Sequence, residues 1–355
     1  MELPRQTGQL MQLIFYTLLN KNSQEMTPAE QKEYEQTRLR VAYNNSWPRA
    51  HWNSPLQEAL IAKMKAAGVD QVFSPLRLDE SSACDILFED ANLNRLLSTL
   101  LDLYDELPLR PDLAFDIAWR ALEIAIVFYF KNFDRATYDD NSKTTEERIK
   151  RITDSVFEPQ MESCPSLKQI FMRLVNERVS DSVLRYIVAR MFFSGELQVK
   201  TQVRQVSTRC REILGGGLYD SYRKQYVKDE KLTDSDHWNA ARLLVRILRG
   251  EKNRISEHDY DALSLQKRVT FVISGILYSS RCERFHGDFF SPLKSDRSTL
   301  KTYYGQYWLL IVSYMFFWMI VHKYLERKGV EPFFKLDDLA TCINKSLDTA
   351  YSVMC

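Results

Sequence analysis

Apolar residues recur at spacings of three and four along most of the chain, the spacing that lines one face of an α-helix. Phe115, Trp119, Leu122, Ile126 and Phe130 form such a stripe in a helix predicted over Leu113 to Lys131, opened by Arg110-Pro111-Asp112. Similar patterns predict helices at about 5–20, 27–43, 56–67, 93–107, 167–178 and 180–193. Thr27-Pro28 marks the start of the second, and Gly68 the end of the third. Toward the C-terminus, Trp238, Ala241, Val245 and Leu248 give a stripe over Asp236 to Arg249. Helices follow at Leu263 to Phe285, Thr302 to Arg327 (stopped by Gly329 and Pro332) and Leu336 to Met354. Gly195 to Val206 alternates β-branched residues and reads as a short hairpin, while the polar stretch Asp134 to Glu147 reads as a surface loop. Gly215-Gly216-Gly217 is the sharpest break, a hinge or boundary. The expected fold class is therefore all-α, a multi-helix bundle, organised as 1–135, 148–214 and 218–355. No internal repeat, sustained heptad or low-complexity tract is present.

Composition agrees with this reading. With only 11 Gly and 11 Pro in 355 residues, there is little punctuation for a many-turned β fold. A net charge of +1 supplies no global field for polyanions, so a nucleic-acid site has to be local. The six cysteines lack zinc or thioredoxin spacing, which fits free thiols in a reducing cytoplasm and implies no metal and no cofactor. Gln12 and Thr17 interrupt the apolar run 10–19, so an amphipathic helix is expected there rather than a signal peptide, and the glycosylation sequons at Asn44 and Asn344 read as chance matches. The run Tyr307 to Val321 falls short of the roughly 18–20 residues that span a bilayer. A helix apolar all round is expected in a core or an interface, without stable membrane insertion.

The segment that carries chemistry is Arg281-Cys282-Glu283-Arg284-Phe285-His286-Gly287-Asp288, at the end of a long predicted helix. Arginine, four residues, then His-Gly at a helix end resembles the hallmark of the HEPN superfamily of helical ribonucleases. The resemblance covers about 218–330 and makes the C-terminal unit a HEPN-like helical domain. After the arginine, where many members carry Asn, Asp or His, stands Cys282. Asp288 stands where a toxin subgroup has a modifiable tyrosine. Trp119-Arg120-Ala121-Leu122-Glu123 is similar to the Trp-x-Ala-Leu-Glu of some first helices of the superfamily. In that alternative the domain starts near Pro111 and contains a long insertion.

The resemblance implies a metal-independent endoribonuclease, in a phage-defence or toxin-like system. Its partners would be RNA, a second copy of the chain, and a protein regulator or antitoxin. RNA carries its own nucleophile, the 2′-hydroxyl. A group that exchanges a proton near neutral pH suits His286, and a fixed charge on the phosphate suits the guanidinium of Arg281. Cys282, Glu283, Arg284, Gly287 and Asp288 would support the pair. Residues five apart on a helix differ by about 140° in direction, so one motif converges poorly on one phosphate. The resemblance implies a homodimer that brings two motifs together, with the apolar helix 302–327 as the expected interface.

Arg242, Arg246 and Arg249 recur on one helix face, within a stretch from Lys200 to Arg254 that holds 13 basic and 7 acidic side chains, and are candidate RNA-backbone contacts. Each reading has an alternative. His286 as a helix cap and Arg281 paired to an acid would make the motif structural. The domain would then be a catalytically silent scaffold for RNA or a partner. The 307–321 run used as an anchor would make the protein a membrane-associated adaptor. Trp47, His51 and Trp52 read as a loop packed on the core rather than as base-stacking rings.

Overall fold

In a computed structural model of the chain, the structure describes residues 55–140, 144–192, 201–229, 232–255, 257–285, 293 and 298–355. The helices expected at 5–20 and 27–43, and Trp47, His51 and Trp52, lie outside the described residues. Seventeen α-helical segments, α1 to α17, two π segments and one two-stranded hairpin make up the regular structure among the described residues. The all-α expectation holds.

The organising element is α16, Leu300–Lys328, a helix of 29 residues. Thr299 and Thr302 cap its start reciprocally, and Gly329, at φ +72°, closes its end in the left-handed conformation. Between Tyr303 and His322 every residue except Gln306 is buried. Of its most apolar window, 94% is buried inside the protein. Against it pack α5 (Pro111–Phe133), α17 (Leu336–Met354), α10 (Asp181–Phe192) and α1 (Pro55–Ala66). Several of its aromatic side chains end in polar groups that bond to neighbouring backbone. The Tyr307 hydroxyl donates to the Pro108 carbonyl at 2.9 Å, and the Trp308 indole N–H to the Leu174 carbonyl at 3.1 Å. The Leu76 amide donates to the Tyr314 hydroxyl at 3.0 Å. This coverage corrects one expectation: the helix is enclosed by its own chain, so it offers no face to a second copy.

The remaining segments run α2 (Glu80–Glu89), α3 (Ala91–Ser98) and α4 (Leu101–Asp105) before α5. After α5 come α6 (Arg135–Asp139), α7 (Thr145–Ile152), a π segment Thr153–Phe157, α8 (Glu158–Ser163) and α9 (Pro165–Asn176). The polar stretch expected as a loop thus holds two helix starts. Asp134 accepts from the Thr137 amide at 3.1 Å, and Thr144 forms a capping box with Glu147. Beyond α10 come α11 (Thr201–Leu214), α12 (Gly216–Tyr226) and α13 (Asp234–Arg249). Thr201 to Val206 is helical, against the expected hairpin, because Val206 and Cys210 share the buried face of α11. The hairpin found is β1 (Asn253–Ile255) with β2 (His258–Tyr260), antiparallel. Gly215, at φ +87°, turns the chain between α11 and α12, and Arg211 bridges that corner to Asp220 at 2.8 Å.

In α13 the buried face is Ala240, Ala241, Leu243, Leu244, Ile247 and Leu248. Trp238, expected on the core stripe, is 38% exposed, and its ring lies under the Arg185 guanidinium at 4.6 Å. The last long helix before α16 consists of α14 (Leu265–Thr270), a π segment Phe271–Leu277 and α15 (Tyr278–Phe285). The cluster of buried apolar side chains includes α5, α9, α10, α11, α13, α16 and α17 alike. Contacts of α5 with α16, and of α1 with α17, join stretches on either side of the boundaries at 135 and 218.

Candidate functional site

Helix α15 carries the Arg281 motif, and three neighbours fix its position. All seven residues of the π segment before it are buried. Within that segment Gly275 faces Cys210 of α11, whose sulfur lies at ordinary van der Waals distance, 3.5 Å, from where a Cβ would stand. Cys210 is itself enclosed, and burial pushes its thiol up to about 12, so it acts as a packing group.

On one side, Tyr278 stacks on Trp119 of α5, with ring centroids 5.8 Å apart and planes 25° apart. The Arg209 guanidinium, from α11, lies 4.7 Å from the Tyr278 ring centroid. Arg209 is buried, donates to the Ser279 hydroxyl at 3.0 Å and pairs with Glu146 at 3.1 Å. It therefore pins the first turn of α15 to α7 and α11. Sequence reasoning missed this residue. Its partners lie 63 and 70 positions away, and nothing local distinguishes it from a surface arginine.

Arg281 projects from the next turn. Its Nη2 stands 3.5 Å from Glu123 Oε2, and the two side chains are 24% and 28% exposed. Burial raises the Glu123 carboxyl above its ordinary range, and the Arg281 charge, the Trp119 indole and Arg120 each pull it back. The stretch Trp119 to Glu123 of α5 is thus in direct contact with α15, through Glu123 with Arg281 and Trp119 with Tyr278. Arg281 also meets part of the structural alternative, an acid from elsewhere in the chain.

His286, Gly287 and Asp288 lie outside the described residues, as do the side chains of Cys282, Glu283 and Arg284. Arg242, Arg246 and Arg249 are exposed on α13. Arg246 and Arg249 share Glu251 at 3.1 and 3.6 Å, and Arg249 also reaches the Asn176 carbonyl at 3.5 Å. The structure brings Arg242 and Arg246 to one cleft with Arg254 of β1. That cleft stands on α12, α13 and β1, whereas α15 packs on α5 and α11.

No family model, curated protein or solved structure matches this chain. The site is accordingly argued from its own geometry. Among the described residues no group of three or more His, Cys, Asp or Glu side chains is placed to hold a metal ion. What the geometry offers is a guanidinium at a partly open helix face, oriented by a carboxylate and backed by a stacked aromatic pair. Such a group grips an oxyanion.

Proposed function

We propose that the chain is a HEPN-type endoribonuclease that cuts RNA without a metal, in a phage-defence or toxin-like setting. The observation that carries this reading is the contact of the Trp119 to Glu123 phrase with the motif helix: Glu123 meets Arg281, and Trp119 stacks on Tyr278 one turn before it. It supports the arrangement in which α5 is the first helix of the domain and α15 the motif helix.

In the proposed reaction His286 takes the proton of the 2′-hydroxyl or returns one to the leaving 5′-oxygen. The 2′-oxygen bonds to phosphorus as the P–O5′ bond breaks, which leaves a 2′,3′-cyclic phosphate and a 5′-hydroxyl. Arg281 holds the phosphate oxygens as charge builds on them. Glu123 holds the guanidinium in place at Nη2. Arg242, Arg246 and Arg249 contribute RNA-backbone charge.

A two-fold pairing of motifs remains part of the reading, with a different surface from the one expected. Ile124 and Val127, 41% and 39% exposed, lie on the outer face of α5 beside Glu123 and suit a second copy of the chain. The reading of a silent scaffold draws on one fact: the charge of Arg281 is already matched by Glu123.

The test is incubation of single-stranded RNA with the full chain in EDTA. Cleavage to cyclic-phosphate ends is expected, with a loss of about a hundredfold or more in Arg281→Ala and in His286→Ala. RNA bound but left intact by the wild-type chain favours the scaffold.

A further inference from the structure

A second site lies away from the motif helix. A cleft of about 320 Å³ opens between α12, α13 and β1. Its polar rim is Gln225, Tyr226, Asn239, Arg242, Arg246 and Arg254, and among the described residues no acidic side chain lines it. Leu243, buried, forms its floor. Arg242 and Arg246 are one helical turn apart on α13, so their side chains rise on the same face. Arg254 enters from the hairpin, which holds a third guanidinium over the same space.

The charges are free to act on a ligand. Arg242 has no ion-pair partner among the described residues. Arg254 and Asp259 stand 4.0 Å apart with both side chains mostly exposed, a loose pair. Arg246 is bound to Glu251, but Glu251 also has Arg249 at 3.6 Å, so Arg246 can turn to a ligand without stranding the carboxylate. Tyr226 is half-buried, and burial raises its hydroxyl, which keeps it a neutral donor.

We propose that this cleft binds the phosphate monoester of a nucleotide, gripped by Arg242, Arg246 and Arg254, with Gln225 and Asn239 reaching the sugar hydroxyls. The guanidinium fork matches phosphate oxygens two at a time. A monoester carries close to two negative charges at neutral pH and a diester one, so three converging arginines favour the chain end over the chain interior. Amides both donate and accept, as ribose hydroxyls require. The volume lies at the lower end of the roughly 300–1,000 Å³ of small-molecule sites, enough for a phosphate and its sugar. The proposal sharpens the RNA-binding part of the reading above and requires no cutting. The ester comes either from a free nucleotide or from the 5′ end of an RNA.

The experiment is equilibrium titration of the full-length wild-type chain with adenosine 5′-monophosphate, adenosine and inorganic phosphate. A 5′-phosphorylated and a 5′-hydroxyl tetraribonucleotide are titrated in parallel into the His286→Ala chain, so that cutting does not consume them. The monophosphate is expected to bind at least tenfold more tightly than the nucleoside and than phosphate alone. Arg242→Ala and Arg254→Ala are each expected to lose tenfold or more, with the ligand-free thermal midpoint unchanged. A phosphorylated tetranucleotide tighter than both its hydroxyl twin and the mononucleotide assigns the site to RNA ends. Equal binding of the two phosphorylated ligands assigns it to free nucleotides. Equal affinity for nucleoside and monophosphate, affinity fully reproduced by inorganic phosphate, or arginine variants that bind as wild type would each overturn the proposal. None of these readouts depends on whether the chain cuts RNA.

Discussion

In α16 every side chain from Tyr303 to His322 except Gln306 is buried, and several of its polar tips, those of Tyr307 and Trp308 among them, donate to backbone carbonyls of neighbouring segments. In α15, by contrast, burial among the described side chains is confined to Ser279 and Ser280, while Tyr278 and Arg281 stay partly open. The first helix contributes its side chains to the interior on all sides and has nothing left to present. The second is held by a few specific contacts, those of Tyr278, Ser279 and Arg281. A helix buried on all sides and one tethered by a few polar and aromatic contacts thus follow one another along the chain, and only the first is fixed by its apolar surface.

The largest effect that breaks this comparison comes from α16. Trp318 is fully buried, with its ring edge-on to Tyr314 and Phe334 at 6.0 and 5.2 Å. Trp318→Ala is expected to cost about 3–5 kcal/mol in denaturant unfolding, through lost burial and a residual cavity. Its indole N–H has no hydrogen-bond partner among the described residues, so Trp318→Phe forfeits no bond. That variant is expected to cost roughly 1.5 kcal/mol or less. Equal losses for the two would mean that a hydrogen bond, and not volume, dominates there.

A smaller change in stability and a larger one in chemistry are expected at Glu123. The Glu123–Arg281 pair is partly exposed, so Glu123→Ala is expected to change unfolding free energy by no more than about 1 kcal/mol. Freed of its carboxylate, the Arg281 fork loses its fixed direction, and RNA cutting is expected to fall by roughly ten- to a hundredfold. The pH dependence has a definite sign. Burial raises the Glu123 carboxyl, so the folded state holds that proton more tightly than the unfolded chain. The contribution is fully present below the unfolded pKa and is lost as pH rises through the folded one. Relative to Glu123→Gln, the wild-type chain is therefore expected to lose stability as pH rises through the carboxylate range. A wild-type curve that gains on the variant over that range contradicts the assignment.

How far each region was legible follows from the range of its interactions. The ends of α16 and α17 stood in the sequence to within about two residues, because the three-and-four periodicity, Gly329 and Pro332 are local signals. Whether α16 met its own chain or a second copy was not, since an apolar surface does not name its cover. The Arg281 motif was legible as spacing, and Glu123 as part of the Trp119 phrase, but their meeting across 158 positions belongs to the packing of α5 on α15. Arg209 had no local sign at all. Trp238 was misplaced for the opposite reason: the stripe rule weights large apolar rings, and here the ring serves Arg185 at the surface. Thr201 to Val206 reads as β by residue type, yet the helical burial of Val206 and Cys210 overrides that propensity.

The smallest expected effect lies at the end of the buried stretch, where α16 has a titratable group inside. His322 Nδ1 is 3.4 Å from the Gln160 amide nitrogen and 3.7 Å from Glu326, with the Phe334 ring 5.4 Å away. Burial is the largest influence and lowers the imidazole pKa, Glu326 raises it, and Lys323 lowers it again. With the Gln160 amide donating, the neutral ring accepts at Nδ1, which agrees with the lowered value. The unfolded chain then takes up the proton before the folded one as pH falls. The stability due to neutral His322 is complete above the unfolded imidazole pKa and is lost as pH falls through the folded value. A chain carrying His322→Gln keeps a polar group and lacks the titration. Its thermal midpoint, followed from neutral to mildly acidic pH against the wild-type chain, is expected to decline less steeply. Parallel curves would show that the Glu326 carboxylate compensates the buried charge, and the interior of α16 would then tolerate an ion that burial disfavours.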